Sequence, residues 1–127
     1  MNISEYLEKY DAQKKIDKLA KKYKNKKIIL YGAGQFSRAV FENYDLSKLN
    51  IIGVADKKFE QDGIHVFFNH NCIKPNDLKT LDYDAILIAN FDYDMFANIL
   101  DEQILYGSKN AGVEIRPLIS LNLKDIL

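Results

Sequence analysis

Tryptophan is absent from this 127-residue chain, and cysteine, histidine, proline and arginine are scarce: one, two, two and two residues. Each shortage excludes something. A lone Cys72 forbids an internal disulfide and suits a reducing compartment. It also lacks a recognisable activating set, so it reads as a small buried apolar residue and not as a nucleophile. His65 and His70 stand five apart, His65 in an expected strand and His70 in an expected loop. Zinc wants more ligands at closer, paired spacings, so no metal site is expected. No window approaches the roughly 18 apolar residues of a membrane span. Met1–Tyr10 has no apolar core of the kind a secretory leader carries. A cytoplasmic protein without a membrane span is therefore expected. Low-complexity linkers and internal repeats are missing too, and the length suits a single core.

The charge that is present is unevenly placed. Residues 1–27 hold nine lysines against four acidic residues, a net of +5. Residues 28–127 hold nine basic against fourteen acidic residues, a net of −5. The basic segment reads first as a solvated helix face, and second as a nucleic-acid or membrane patch. The acidic body argues against a nucleic-acid partner.

Residues 3–24 lack glycine and proline and read as helical. Ile3, Tyr6, Leu7 and Tyr10 share one face; Ala12, Ile16, Leu19, Ala20 and Tyr23 share another. The two faces lie about 140° apart at the helical pitch, which predicts a break at Asp11, with Asp11 able to cap the second helix. This N-terminal helical segment, 1–25, precedes a domain over 26–127. There, apolar runs predict strands at Ile28–Tyr31, Leu49–Asp56, Gly63–Phe68, Tyr83–Asn90 and Val113–Ile119, the last near an edge because of Pro117. Helical patterns are predicted from about Gln35 to Tyr44, as a short turn after Pro75, and from Tyr93 to Tyr106 before Gly107. The alternation predicts an α/β fold: three layers, Rossmann-like, with a mostly parallel five-stranded sheet of order 3-2-1-4-5.

The stretch "YGAGQFS" carries the chemistry. A strand ends at Tyr31, and Gly32, Ala33 and Gly34 lead into a helix through Gln35 and Phe36. The first glycine permits a tight turn, and the second lets a phosphate approach the backbone and the helix's free N–H groups. Ser37 stands where a dinucleotide fingerprint has its third glycine; it is small enough to preserve helix–strand packing. Asp56 follows Gly34 by 22 positions, close to the roughly 20 expected for a ribose-binding carboxylate. Asp56 could equally cap its own loop. Lys57 and Lys58 either meet a 2′-phosphate or are simply exposed. With this strand order the ligand crevice falls between the first strand and Tyr83–Asn90, so Asn90 and Phe91 line its other wall. Asn90 would donate to a phosphate or a sugar hydroxyl, and Phe91 would stack on a base. The polar stretch Phe67–Asn76, expected at the same sheet end, would add His70 or Asn71.

No catalytic constellation is evident. The "DYD" pairs at Asp82–Asp84 and Asp92–Asp94 read as turn features. The Tyr-x-x-x-Lys spacing at Tyr10–Lys14 lies ahead of the fold and reads as chance. Whether the protein is an enzyme is thus left open.

"ILYGAGQFSRAVFENYDLSKLNIIGVADKKF", Gly63 and "IKPNDLKTLDYDAILIAN" together resemble a small Rossmann-like domain of bacterial surface-polysaccharide enzymes, over roughly residues 26–120. Such domains accompany nucleotide-sugar dehydratases and epimerases, sugar acetyltransferases and sugar methyltransferases. The resemblance implies that Gly32, Ala33, Gly34 and Asp56 face a nucleotide-sugar or NAD. Ser37 departs from the family's glycine, a catalytic partner domain is missing, and the N-terminal helices are not part of the pattern. With no catalytic constellation of its own, the chain reads first as a free-standing module that holds its ligand for a separately encoded sugar-modifying enzyme. The alternatives are a small NAD-dependent oxidoreductase acting as a homodimer or higher oligomer, and an interaction protein with a vestigial pocket.

Overall fold

The computed structural model describes residues 2–61, 63 and 66–120, and the expected strand position of His65 lies outside them. Two helices come first, α1 (Ile3–Lys9) and α2 (Ala12–Lys22). Asn2 starts α1 by accepting from the Glu5 N–H at 2.8 Å. The break falls at Asp11 as the shift of apolar face requires. Its side chain makes no cap, however: Asp11 turns the chain through the left-handed region at φ 53°.

The sheet that follows is mixed and mostly parallel, with six strands among the described residues. They are β1 (Ile28–Tyr31), β2 (Ile51–Ala55), β3 (Val66–Phe67), β4 (His70–Ile73), β5 (Ala85–Ile88) and β6 (Glu114–Pro117), in the order β3-β4-β2-β1-β5-β6. This corrects the expected count of five and the third strand. The strand that pairs with β2 is β4, with Val54 opposite Cys72 and Ala55 opposite Ile73. Part of the expected strand, Val66–Phe67, instead folds back antiparallel on β4 at the edge. The reason is a two-residue hairpin at Phe68 and Asn69, both with positive φ, and Val66 is left 61% exposed.

Two helices follow within the sheet region, α3 (Gln35–Asn43) and α4 (Tyr93–Ile99), the latter running on as a π turn over Leu100–Ile104. Side chains alternate across β1. Ile28 and Leu30 join Leu7, Ile16, Phe36 and Val40 on one face. Ile29 and Tyr31 join Leu78, Tyr83, Leu100 and Leu105 on the other. Both faces are thus covered, which is why β1 and β5 read as unbroken apolar runs. The N-terminal helices share the first core: Leu7, Ala12 and Ile16 are each at most 1% exposed. Burying a leucine of this kind contributes about 1.5–3 kcal/mol.

Candidate functional site at the carboxyl ends of the central strands

β1, β2 and β5 run parallel, so their carboxyl ends meet at one edge of the sheet. The chain leaves β1 through Gly32 at φ +120°, and a Cβ there would lie 2.7 Å from the Ala89 carbonyl oxygen. Only glycine satisfies both conditions. The Gly32 N–H donates to Ala55 O at 2.8 Å, which ties the turn to the end of β2.

The next amide is occupied by the protein itself. Ala33 N–H donates to Asp56 Oδ2 at 2.7 Å, and Lys58 N–H donates to Asp56 Oδ1 at 2.9 Å. The second bond caps the short 3-10 turn Lys57–Glu60. Lys58 Nζ returns to donate to Ala33 O. Asp56 therefore does cap its loop, and it also clamps the glycine turn to β2. Each of its oxygens retains a lone pair for a further donor.

Beyond Ala33 the turn is open. Gly34 is exposed, with nothing within 4 Å of the place a Cβ would take, and it starts α3 without any side-chain cap. Among the described residues nothing accepts from the N–H groups of Gly34, Gln35, Phe36 or Ser37. These are the unpaired donors of a helix start, carrying the positive end of its dipole. Ser37 is 1% exposed, which fits the packing role expected of a small residue there; its hydroxyl has no partner among the described residues.

Beside the turn lies a crevice of about 250 Å³, lined by Tyr31, Gly32, Asp56, Lys57, Asn90 and Phe96. Of the expected site residues it gathers Gly32, Asp56 and Asn90. Asn90 is partly engaged, its Oδ1 accepting from Asp92 N–H at 2.9 Å. Phe91 stands outside the crevice, 42% exposed. Its ring meets Phe36 edge-on at 4.8 Å and Tyr6 of α1 at 5.3 Å, so Phe91 rises beside the open start of α3. Gln35 is exposed on the first turn of that helix.

Tyr31, Phe96 and Tyr6 belong to this region and were not expected there. Tyr31 had a signal, since the residue before a glycine turn ends its strand at the ligand side. Phe96 and Tyr6 had none, because helices distant in sequence carry them to the site. Burial pushes the Tyr31 phenol up to about 12, with the Asp56 and Glu60 carboxylates adding to the effect. It therefore stays a neutral hydrogen-bonding group across the physiological range. His70 and Asn71 correct an expectation: they open β4, which runs parallel to β2, and so stand at its amino end, away from the crevice. His70 Nδ1 lies 2.9 Å from Phe68 O. Cys72 is partly buried on β4, and burial raises its thiol pKa.

Among the described residues no group of three or more His, Cys, Asp or Glu could hold a metal ion. No helix among them is long and apolar enough to cross a membrane. The arrangement thus offers four free amides for an anion, a carboxylate, an amide and a phenol for hydroxyl groups, and an exposed ring for stacking. No curated protein and no solved structure matches the chain. A family model described as C2185-like, N-terminal, matches residues 24–115. That span takes in the glycine turn, Asp56, Asn90 and Phe91, and the chain belongs to the C2185-like N-terminal family.

Proposed function

We propose that this chain is a cytoplasmic binding module of three-layer, Rossmann-like architecture that holds a nucleotide-sugar or a dinucleotide such as NAD. It would present that ligand to a separately encoded enzyme that modifies sugars for surface polysaccharide. The observation that carries the reading is the uncapped start of α3, with its amides free beside open space at Gly34. A diphosphate sits there by charge and by hydrogen bonding. The crevice is smaller than the roughly 300–1,000 Å³ of complete ligand sites. It therefore takes one end of an extended ligand, with hydroxyls on Asp56 and Asn90, while the phosphates lie on the open helix start. Phe91 supplies a face for a base.

A second reading has its own observation. Asp56 already closes the Ala33 amide, as a residue kept for structure alone would do. Under that reading the pocket is vestigial and the protein acts by contact with a partner. A thermal-shift screen of NAD, NADP, coenzyme A, and UDP-, GDP- and CDP-linked sugars separates the two. The module reading expects one class to stabilise the fold by about 2.7 kcal/mol at 100 times its dissociation constant. The vestigial reading expects no member of the screen to do so. A change in absorbance at 340 nm with NAD and the bound sugar would instead identify an oxidoreductase.

A further inference from the structure

Phe91 stands in the turn between β5 and α4 and is 42% exposed. Its backbone is fixed on either side. Asn90 Oδ1 accepts from Asp92 N–H at 2.9 Å, and Asp92 Oδ1 accepts from Met95 N–H at 3.3 Å. Those bonds leave the ring itself free to turn about its side-chain torsions. A loop ring that samples several rotamers gives up that freedom when a flat group stacks on it, and affinity falls accordingly.

Two other rings restrict Phe91 in advance. Phe36, 3% exposed on the first turn of α3, meets it at 4.8 Å between ring centroids with the planes at 78°. Tyr6 of α1 meets it at 5.3 Å and 67°. Both are edge-to-face arrangements of the kind aromatic pairs prefer. Tyr6 is in turn held in place. Tyr10, four residues on, stacks against it at 5.8 Å with the planes 11° apart. Leu7, its neighbour in the chain, is fully buried and anchors α1 in the main core. The family match begins at residue 24, so Tyr6 reaches Phe91 from a segment that the match does not include.

We infer that Tyr6 is a positioning residue for base recognition: its ring holds Phe91 in the pose that stacks on a nucleobase. α1 thereby belongs to the ligand site as well as to the core. The inference rests on the reading of the glycine turn and Phe91 as a nucleotide site, and it adds to that reading the element that orients the stacking ring. Because Tyr6 acts through Phe91, its contribution to affinity exists only while the Phe91 ring is present.

The test is isothermal titration of the full chain with NAD and with UDP-glucose, one of which is expected to bind the parent. Phe91→Ala is expected to weaken that nucleotide about tenfold, in line with the loss of one base-stacking ring. Tyr6→Ala removes ring and bulk, whereas Tyr6→Leu removes the ring and keeps apolar bulk on α1. Each is expected to weaken binding at least about threefold, the effect of freeing one ordered side chain. Tyr6→Phe keeps the ring and is expected to stay within about twofold of the parent. Tyr6→Leu with Phe91→Ala is expected to bind within about twofold of Phe91→Ala alone, since residues that act as a unit are not additive. Circular dichroism confirms that each variant is folded. The inference fails if Tyr6→Leu loses less than about threefold, if Tyr6→Phe loses as much as Tyr6→Leu, or if the double variant loses further by more than about twofold. Parent-like binding by Phe91→Ala would also overturn it, by taking the base off that ring. Failure of the parent to bind either nucleotide would remove the nucleotide reading itself, and this inference with it.

Discussion

Two glycines two positions apart have opposite roles, and substitution separates them. Gly32 is held by the fold: its φ is +120° and its missing Cβ faces a backbone carbonyl at 2.7 Å. Gly32→Ala is expected to destabilise by about 3 kcal/mol, combining left-handed strain with displacement of the β5 end, and urea unfolding measures it. Gly34 has open space and an ordinary backbone conformation. Gly34→Asp places a good capping residue at a helix start, so stability should change by less than about 0.5 kcal/mol. Its carboxylate would then sit on the very amides proposed for an anion. Much of the turn could be read from the sequence, because a strand, a glycine turn, a helix and an acid about 20 residues on must follow in that order to build it. The clamp of Asp56 on Ala33 could not, since whether a carboxylate turns to a ligand or to its own backbone depends on a fraction of an ångström.

Among the elements, β1 and β5 were legible because burial on both faces writes an unbroken apolar run. The break between α1 and α2 was legible because the apolar face jumps at Asp11. β4 was hidden: "HNCI" is a polar-looking strand next to the sheet edge, with Asn71 exposed and no residue fully buried. The more apolar "VFF" beside it drew the prediction to the hairpin arm instead. The helix at the N-terminus lies outside the family match, yet it packs into the main core. Leu7 is fully buried there, so Leu7→Ala should cost about 2–5 kcal/mol, which chemical denaturation would register. A cost below about 1 kcal/mol would mean that α1 is a peripheral attachment.

At the scale of the whole molecule, three phenols tie stability to alkaline pH. Tyr23, Tyr31 and Tyr83 are each pushed up to about 12 from an ordinary 10.0, first of all by burial. A pKa raised in the folded state means that folding favours the protonated phenol. That contribution is complete below pH 10 and is lost as pH rises from about 10 to 12. The midpoint of urea unfolding should therefore fall across that window, while the tyrosinate absorbance of these three appears only as the chain unfolds. Early tyrosinate signal at those positions in the folded protein would contradict the burial. The central claim concerns the anion site, and one measurement addresses it most directly: thermal-shift titration of the parent and Gly34→Asp with UDP-glucose and NAD. The account predicts a saturable rise of several degrees for the parent with one of the two, and none for Gly34→Asp. An equal rise in both proteins, or no rise in the parent with either ligand, would contradict it.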